Sequence, residues 1–157
     1  MRIVASVLLV TLCLTTACDE NRVYEMNHDF SERYWLVSEK PQFKFEITNT
    51  NMRYNLYCNL RNEVAYPFSR IFFTHYLTDS TGLELNKALN QQFLFDKKTG
   101  KPFGSSGLGD IYDHQFLLMK GYQFRRPGKY TIKFEQFMRK DTLEGMLSVG
   151  LRVERAE

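Results

Sequence analysis

Asp110 and Asp113 bracket Ile111-Tyr112 at the end of a glycine-rich run that starts at Pro102. Two acids three residues apart beside glycines could hold a calcium ion, or divide general acid and base work between them. The plainer reading is preferred: Asp110 caps a turn and Asp113 is solvated. His28, His75 and His114 do not stand at metal-ligand spacing. His75 lies inside the apolar run Ile71–Leu77 and reads as a sheet histidine. Gly104-Ser105-Ser106-Gly107 is not followed by the helix that a nucleophile elbow requires. Gly107-Leu108-Gly109 lacks the third glycine and the βαβ setting of a nucleotide loop. Arg125-Arg126 and Arg139-Lys140 read as solvated rims. No catalytic residue, metal ligand or cofactor follows from these patterns, and the expectation is a protein without enzymatic activity.

The cysteines point elsewhere. Met1-Arg2 is a short basic start, and Ile3–Leu14 is a run of twelve mostly aliphatic, uncharged residues. Thr15-Thr16-Ala17 then leads into Cys18 and the abruptly polar Asp19-Glu20-Asn21. Basic, then apolar, then small residues at a cut site is the pattern of a secretory signal. Twelve residues rise only about 18 Å as a helix, short of a bilayer core of about 30 Å. Small residues directly before a cysteine match a bacterial lipoprotein signal, although Thr15 stands where leucine is common. Residues 1–17 are therefore read as a signal peptide. Cys18 is read as the lipidation site, carrying a diacylglycerol and an N-acyl chain such as palmitate. Acyl chains contribute about 0.8 kcal/mol per buried methylene, enough when several act together to hold a small domain on a bilayer. Cys58 is then the single thiol of the folded body and reads as a small core hydrophobe.

The chain has 157 residues, 43% hydrophobic and 15% aromatic, with a net charge of +3. That composition excludes a disordered tail and a coiled coil, and the charge is too small to argue for nucleic-acid binding. Length supports one domain.

The body reads as strands. Residues 18–33 are expected to be a lipidated tether with a first short strand, and residues 34–157 the domain. Phe43, Phe45 and Ile47 alternate with Lys44, Glu46 and Thr48, the period of a half-buried strand. After the turn residues Asn49-Thr50-Asn51, Tyr54, Leu56, Cys58 and Leu60 alternate in the same way, and the two runs read as a hairpin. Further strands are expected at Ile71–Leu77, Gln92–Asp96, Phe116–Phe124, Lys129–Phe137 and Leu147–Val153. Leu83–Leu89 fits a short helix or a loop. Eight or nine strands with almost no amphipathic helix predict an all-β antiparallel sandwich, immunoglobulin-like or jelly-roll-like.

Several segments together resemble the gliding-motility-associated lipoprotein family GldH of the Bacteroidetes. They are the lipoprotein start, Tyr24-Glu25, Trp35 with Phe43-Lys44-Phe45, Tyr54-Asn55-Leu56-Tyr57 with Leu60-Arg61-Asn62, and Tyr66-Pro67-Phe68-Ser69. They continue through Gly107-Leu108-Gly109-Asp110-Ile111-Tyr112-Asp113, Gly128-Lys129-Tyr130 and Val149-Gly150-Leu151-Arg152-Val153-Glu154. The resemblance implies an outer-membrane-associated lipoprotein needed for gliding, without catalysis, that works beside other gliding or secretion-associated envelope proteins. Acids directly after Cys18 leave open whether it faces the periplasm or the cell surface. An anchored sandwich is expected to present its loops to partners. Tyr66, Pro67, Phe68, Leu108, Asp110, Ile111, Tyr112 and Asp113 are the expected partner-binding residues. The alternative is a glycan-binding lipoprotein that stacks sugars on Tyr66 and Phe103.

Overall fold

The structure, a computed structural model, describes residues 19–157. The signal segment and Cys18 lie outside the described residues. Eleven strands follow in chain order: β1 Arg22–Asp29, β2 Tyr34–Leu36, β3 Gln42–Ile47, β4 Tyr54–Glu63, β5 Arg70–Asp79, β6 Glu84–Phe93, β7 Ser105–Ser106, β8 Ile111–Tyr122, β9 Gly128–Gln136, β10 Thr142–Glu144 and β11 Met146–Arg155. Among the described residues there is no helix. The strands form a five-stranded sheet in the order β1-β11-β4-β8-β7, a four-stranded sheet in the order β3-β9-β5-β6, and a small β10-β2 pair. All pairings between strands are antiparallel. This is the expected all-β sandwich.

Period-two patterning explains the assembly. In β4, Leu56, Cys58 and Leu60 are buried, while Asn55, Tyr57 and Asn59 lie between them, half-buried. In β9, Tyr130, Ile132, Phe134 and Gln136 are buried in the same alternation. Aromatic side chains join the sheets: Phe124 meets Tyr54 of one at 5.6 Å and Tyr130 of the other at 4.5 Å. Tyr24 of β1 meets Phe45 of β3 at 6.0 Å. Trp35, fully buried, stacks on Phe30 at 5.3 Å and donates its indole N–H to the Glu39 carbonyl at 2.8 Å.

Two expectations are corrected. β3 and β4 are not a hairpin: β3 pairs with β9, and β4 lies between β11 and β8 in the other sheet. Both strands carry one apolar face, and crossing between sheets lets those faces meet across the core instead of lying side by side. Leu83–Leu89 is neither helix nor loop but most of edge strand β6. Residues 19–33 carry strand β1 and are fastened to the body. Asp19 is ion-paired with Arg152, the Arg155 N–H bonds the Asn21 carbonyl at 2.8 Å, and β1 pairs with β11 along its length.

Candidate functional site

Tyr66, Pro67, Phe68, Leu108 and Asp110 of the expected contact residues fall on two neighbouring loops at one end of the sandwich, and Ile111, Tyr112 and Asp113 open strand β8 beside them. The first, residues 64–69, joins β4 to β5; the second, residues 107–110, joins β7 to β8. Register brings them together. Glu63 lies opposite Ile111 in the β4–β8 ladder, and the Val64 N–H bonds the Asp110 carbonyl at 2.7 Å. The Gly107 N–H closes the second loop on the Ile111 carbonyl at 2.8 Å. A cleft of about 400 Å³ opens there, lined by Arg33, Glu63, Val64, Ala65, Leu108, Asp110 and Ile111. Leu108 is 93% exposed and Val64 44%. An apolar side chain held almost wholly in water at a loop tip is the kind of group a partner covers.

Each predicted residue has a definite place. Pro67, Leu108 and Asp110 are exposed, and Ile111, Tyr112 and Asp113 are half-buried. Phe68 is half-buried against the core. Tyr66 lies in the core and not at the expected surface position: it is 4% exposed, and its ring packs on Phe68 and Phe95. Its hydroxyl donates to the Arg70 carbonyl at 3.3 Å, and burial pushes its ionisation well above the usual tyrosine range. Tyr66 supports the loop from below. Of the two aromatics expected to stack a sugar, Tyr66 is buried and Phe103, 61% exposed, is the one open to solvent.

Asp110 and Asp113 do not act as a pair. Asp113 accepts two hydrogen bonds from the Arg61 guanidinium, at 2.6 and 3.3 Å, on the outer face of the five-stranded sheet. It lines a separate trough of about 350 Å³, with Asn27, Asn59, Gln115 and Ser148 among its walls. Asp110 opens onto the loop-end cleft instead. Among the described residues no group of three His, Cys, Asp or Glu side chains is placed to hold a metal ion. The histidines are equally separate. His28 contacts Glu39 at 2.6 Å, and His114 stacks on Phe116. His75 bonds Asn86 through Nε2 at 2.9 Å and receives the Asn90 amide at Nδ1 at 3.0 Å. Burial lowers the pKa of His75 below the ordinary 6.5, against the pull of both amides. Cys58 is fully buried, and burial pushes its thiol well above the usual range.

Arg33, Glu63 and Gly145 are functional-end residues that motif reading misses. Arg33 sits at φ 58°, a left-handed conformation that costs a side-chain-bearing residue about 1–2 kcal/mol. Its N–H bonds the Phe30 carbonyl at 3.0 Å, its carbonyl receives the Gly145 N–H at 3.0 Å, and its guanidinium pairs with Glu63. Backbone held this way against its preference tends to mark a functional site. Gly145, at φ 76°, also accepts the Glu63 N–H at 2.8 Å. A Cβ there would stand 3.1 Å from the Tyr66 Cα. No composition or spacing signal announces a left-handed arginine.

Arg152 anchors the other end. It pairs with Asp19, with Glu25 at 2.8 Å and with Glu154. Burial works against its charge, yet the acids around it raise its pKa overall and keep it protonated.

Geometry thus defines a single-domain, all-β body with an exposed apolar loop end and a tightly fastened N-terminal strand. The chain belongs to the GldH lipoprotein family, whose model matches residues 22–153, and membership of a lipoprotein family makes it a membrane-anchored protein. A protein of Christiangramia forsetii described as a gliding motility lipoprotein GldH homolog is 26% identical over 158 residues, covering 96% of this chain and 94% of that protein. The gliding motility lipoprotein GldH of Flavobacterium johnsoniae is 27% identical over 160 residues, covering 98% and 97%. Among solved structures, the VP2 subviral particle of infectious bursal disease virus aligns over 85% of this chain and 30% of that one, at 8% identity and a TM-score of 0.38. So loose a likeness carries no argument.

Proposed function

We propose that this protein is a non-catalytic interaction module of the envelope machinery for gliding motility. Acyl chains on Cys18, a diacylglycerol and an N-acyl group, hold it at the outer membrane after removal of residues 1–17. Its loop end, with Leu108, Val64 and Ile111 around the cleft, contacts a protein of that machinery. The observation that carries this reading is the family match over residues 22–153, together with the apolar loop end held open by Arg33, Glu63 and Gly145. Surface confinement by the lipid raises the effective concentration of the module for its neighbours, so a modest contact suffices.

A photo-cross-linker at position 108 in intact cells tests the contact. One discrete envelope partner is expected, lost on Ile111→Asp. No adduct, with gliding unchanged in Ile111→Asp, overturns the loop-end assignment. Fatty-acid labelling tests the anchor: label is expected on the native protein and absent from Cys18→Ala, and a Cys18→Ala protein that stays in the membrane fraction refutes it.

A further inference from the structure

Strand β6 has ten residues, against eight for β1, six for β3, three each for β2 and β10 and two for β7, the other strands that end a sheet among the described residues. A free edge invites pairing with another strand, and most proteins guard it with charge, proline or shortness. Here the guard is weak. Leu89 is 56% exposed on the outer face, and Leu85 and Phe93 are each 38% exposed. Lys87, the strand's own lysine, leans back over the Tyr76 ring at 4.9 Å, a ring it shares with Lys133 at 4.2 Å, while Lys97 stands over the Phe93 ring at 5.0 Å and leaves Leu89 at the centre uncovered. The inward face carries Asn86 and Asn90, both engaged with His75.

We propose that β6 pairs antiparallel with β6 of a second copy of this chain, about a two-fold axis through Leu89, joining two four-stranded sheets into one. The sequence of β6 is self-complementary in that register. On the outer face Leu89 meets Leu89 of the second copy, Leu85 meets Phe93, and Lys87 meets Gln91. On the inner face Asn86 meets Gln92 and Ala88 meets Asn90. Opposed residues of an antiparallel pair share a face, and like charges directly opposite destabilise it. Moving the axis to Ala88 sets Lys87 against Leu89, moving it to Asn90 sets Lys87 against Phe93, and moving it to Lys87 sets two lysines together. With the axis at Leu89 the two Lys87 residues stand four positions apart, about 13 Å along the strand and beyond the screening length of about 8 Å. A bulge at the Thr78/Glu84 step ends the regular run, so the pairs within Asn86–Gln92 set the register.

The test uses the mature chain with Cys18→Ser, leaving the buried Cys58 as its thiol. Opposed Cα atoms in such a pair lie about 4.5–5.5 Å apart, inside the disulfide range of about 4.4–6.8 Å. Leu89→Cys is therefore expected to oxidise to a covalent dimer. Lys87→Cys and Gln91→Cys are each expected to form no covalent dimer alone and to cross-link when mixed. Leu89→Lys is expected to weaken dimerisation at least about ten-fold in sedimentation equilibrium, with a melting temperature equal to that of the wild type at concentrations where both are monomers, because the side chain is exposed. Three results would each overturn the proposal. They are no more dimer from Leu89→Cys than from Phe137→Cys, self-cross-linking of Lys87→Cys, and a wild-type chain that sediments as a monomer at every concentration. A monomer whose β6 amides are protected only in whole envelopes would assign the edge to a different protein, and this also overturns it.

Discussion

Gly145→Ala separates backbone strain from crowding at the loop end. At φ 76° an alanine pays the left-handed cost of about 1–2 kcal/mol. Its Cβ would also stand 3.1 Å from the Cα and 3.2 Å from the N of Tyr66. Those are backbone atoms that cannot swing aside, and crowding of this kind adds about 1–3 kcal/mol. Together the loss is about 2–5 kcal/mol. Gly82, at φ 85° with nothing within 4 Å of the added Cβ, is the matched control, and Gly82→Ala should lose the strain alone, about 1–2 kcal/mol. At about 3 °C per kcal/mol for a domain of this size, the melting temperature should fall by about 6–15 °C in the first variant and about 3–6 °C in the second. Urea unfolding of both, with the slope held constant, measures the difference. Equal losses would refute the claim that the 145 turn and the Tyr66 loop are locked together, and with it the claim that Tyr66 is a support.

Leu108→Asp should leave stability within about 0.5 kcal/mol, whereas Tyr66→Ala should lose about 3–5 kcal/mol by opening a core cavity; thermal melts distinguish a presented residue from a supporting one. His75 and His114 both have pKa values lowered below 6.5, first by burial. The unfolded chain therefore binds protons more readily in that range, so their contribution is fully present above pH 6.5 and is lost as pH falls below it. Urea midpoints should decline from pH 7 toward pH 5, and less steeply in His75→Gln. Cys58 in the Cys18→Ser chain should resist thiol reagents until the protein unfolds; rapid labelling of the native state would contradict its burial. Arg152→Met should speed amide exchange at Arg22 and Arg155 by removing the cation among Asp19, Glu25 and Glu154.

Strands with apolar residues on one face and polar residues on the other were legible from the sequence. β3, β4 and β9 stand close to where alternation places them, and β5 where its apolar run does. β6 was not, because its half-buried face is built from amides that bond His75 while Leu85, Leu89 and Phe93 face water. Hydrophobic periodicity assumes the opposite arrangement. β2 and β10 are three residues each, too short for any period, yet they place Trp35 and Leu143 at 0% exposure. β8 begins at Ile111, ahead of the strand expected from Phe116, because Asn62 and Glu63 extend the β4 ladder that far. At the site, the cluster of glycines and acids marks the right end of the molecule. It does not show that Asp113 answers to Arg61, or that Arg33 accepts a left-handed backbone; both depend on partners 52 or more residues away or on backbone geometry.

Strand β1 begins at Arg22, and Asp19 already pairs with Arg152, so few residues separate the folded body from position 18. A slack spacer of about sixteen residues would let a domain roam some 22 Å, roughly its own width. Asp19 follows Cys18 directly, so an acylated Cys18 leaves essentially no leash. The body would ride flush with the lipid headgroups at a constant height and tilt, and any companion would have to approach within the plane of the bilayer.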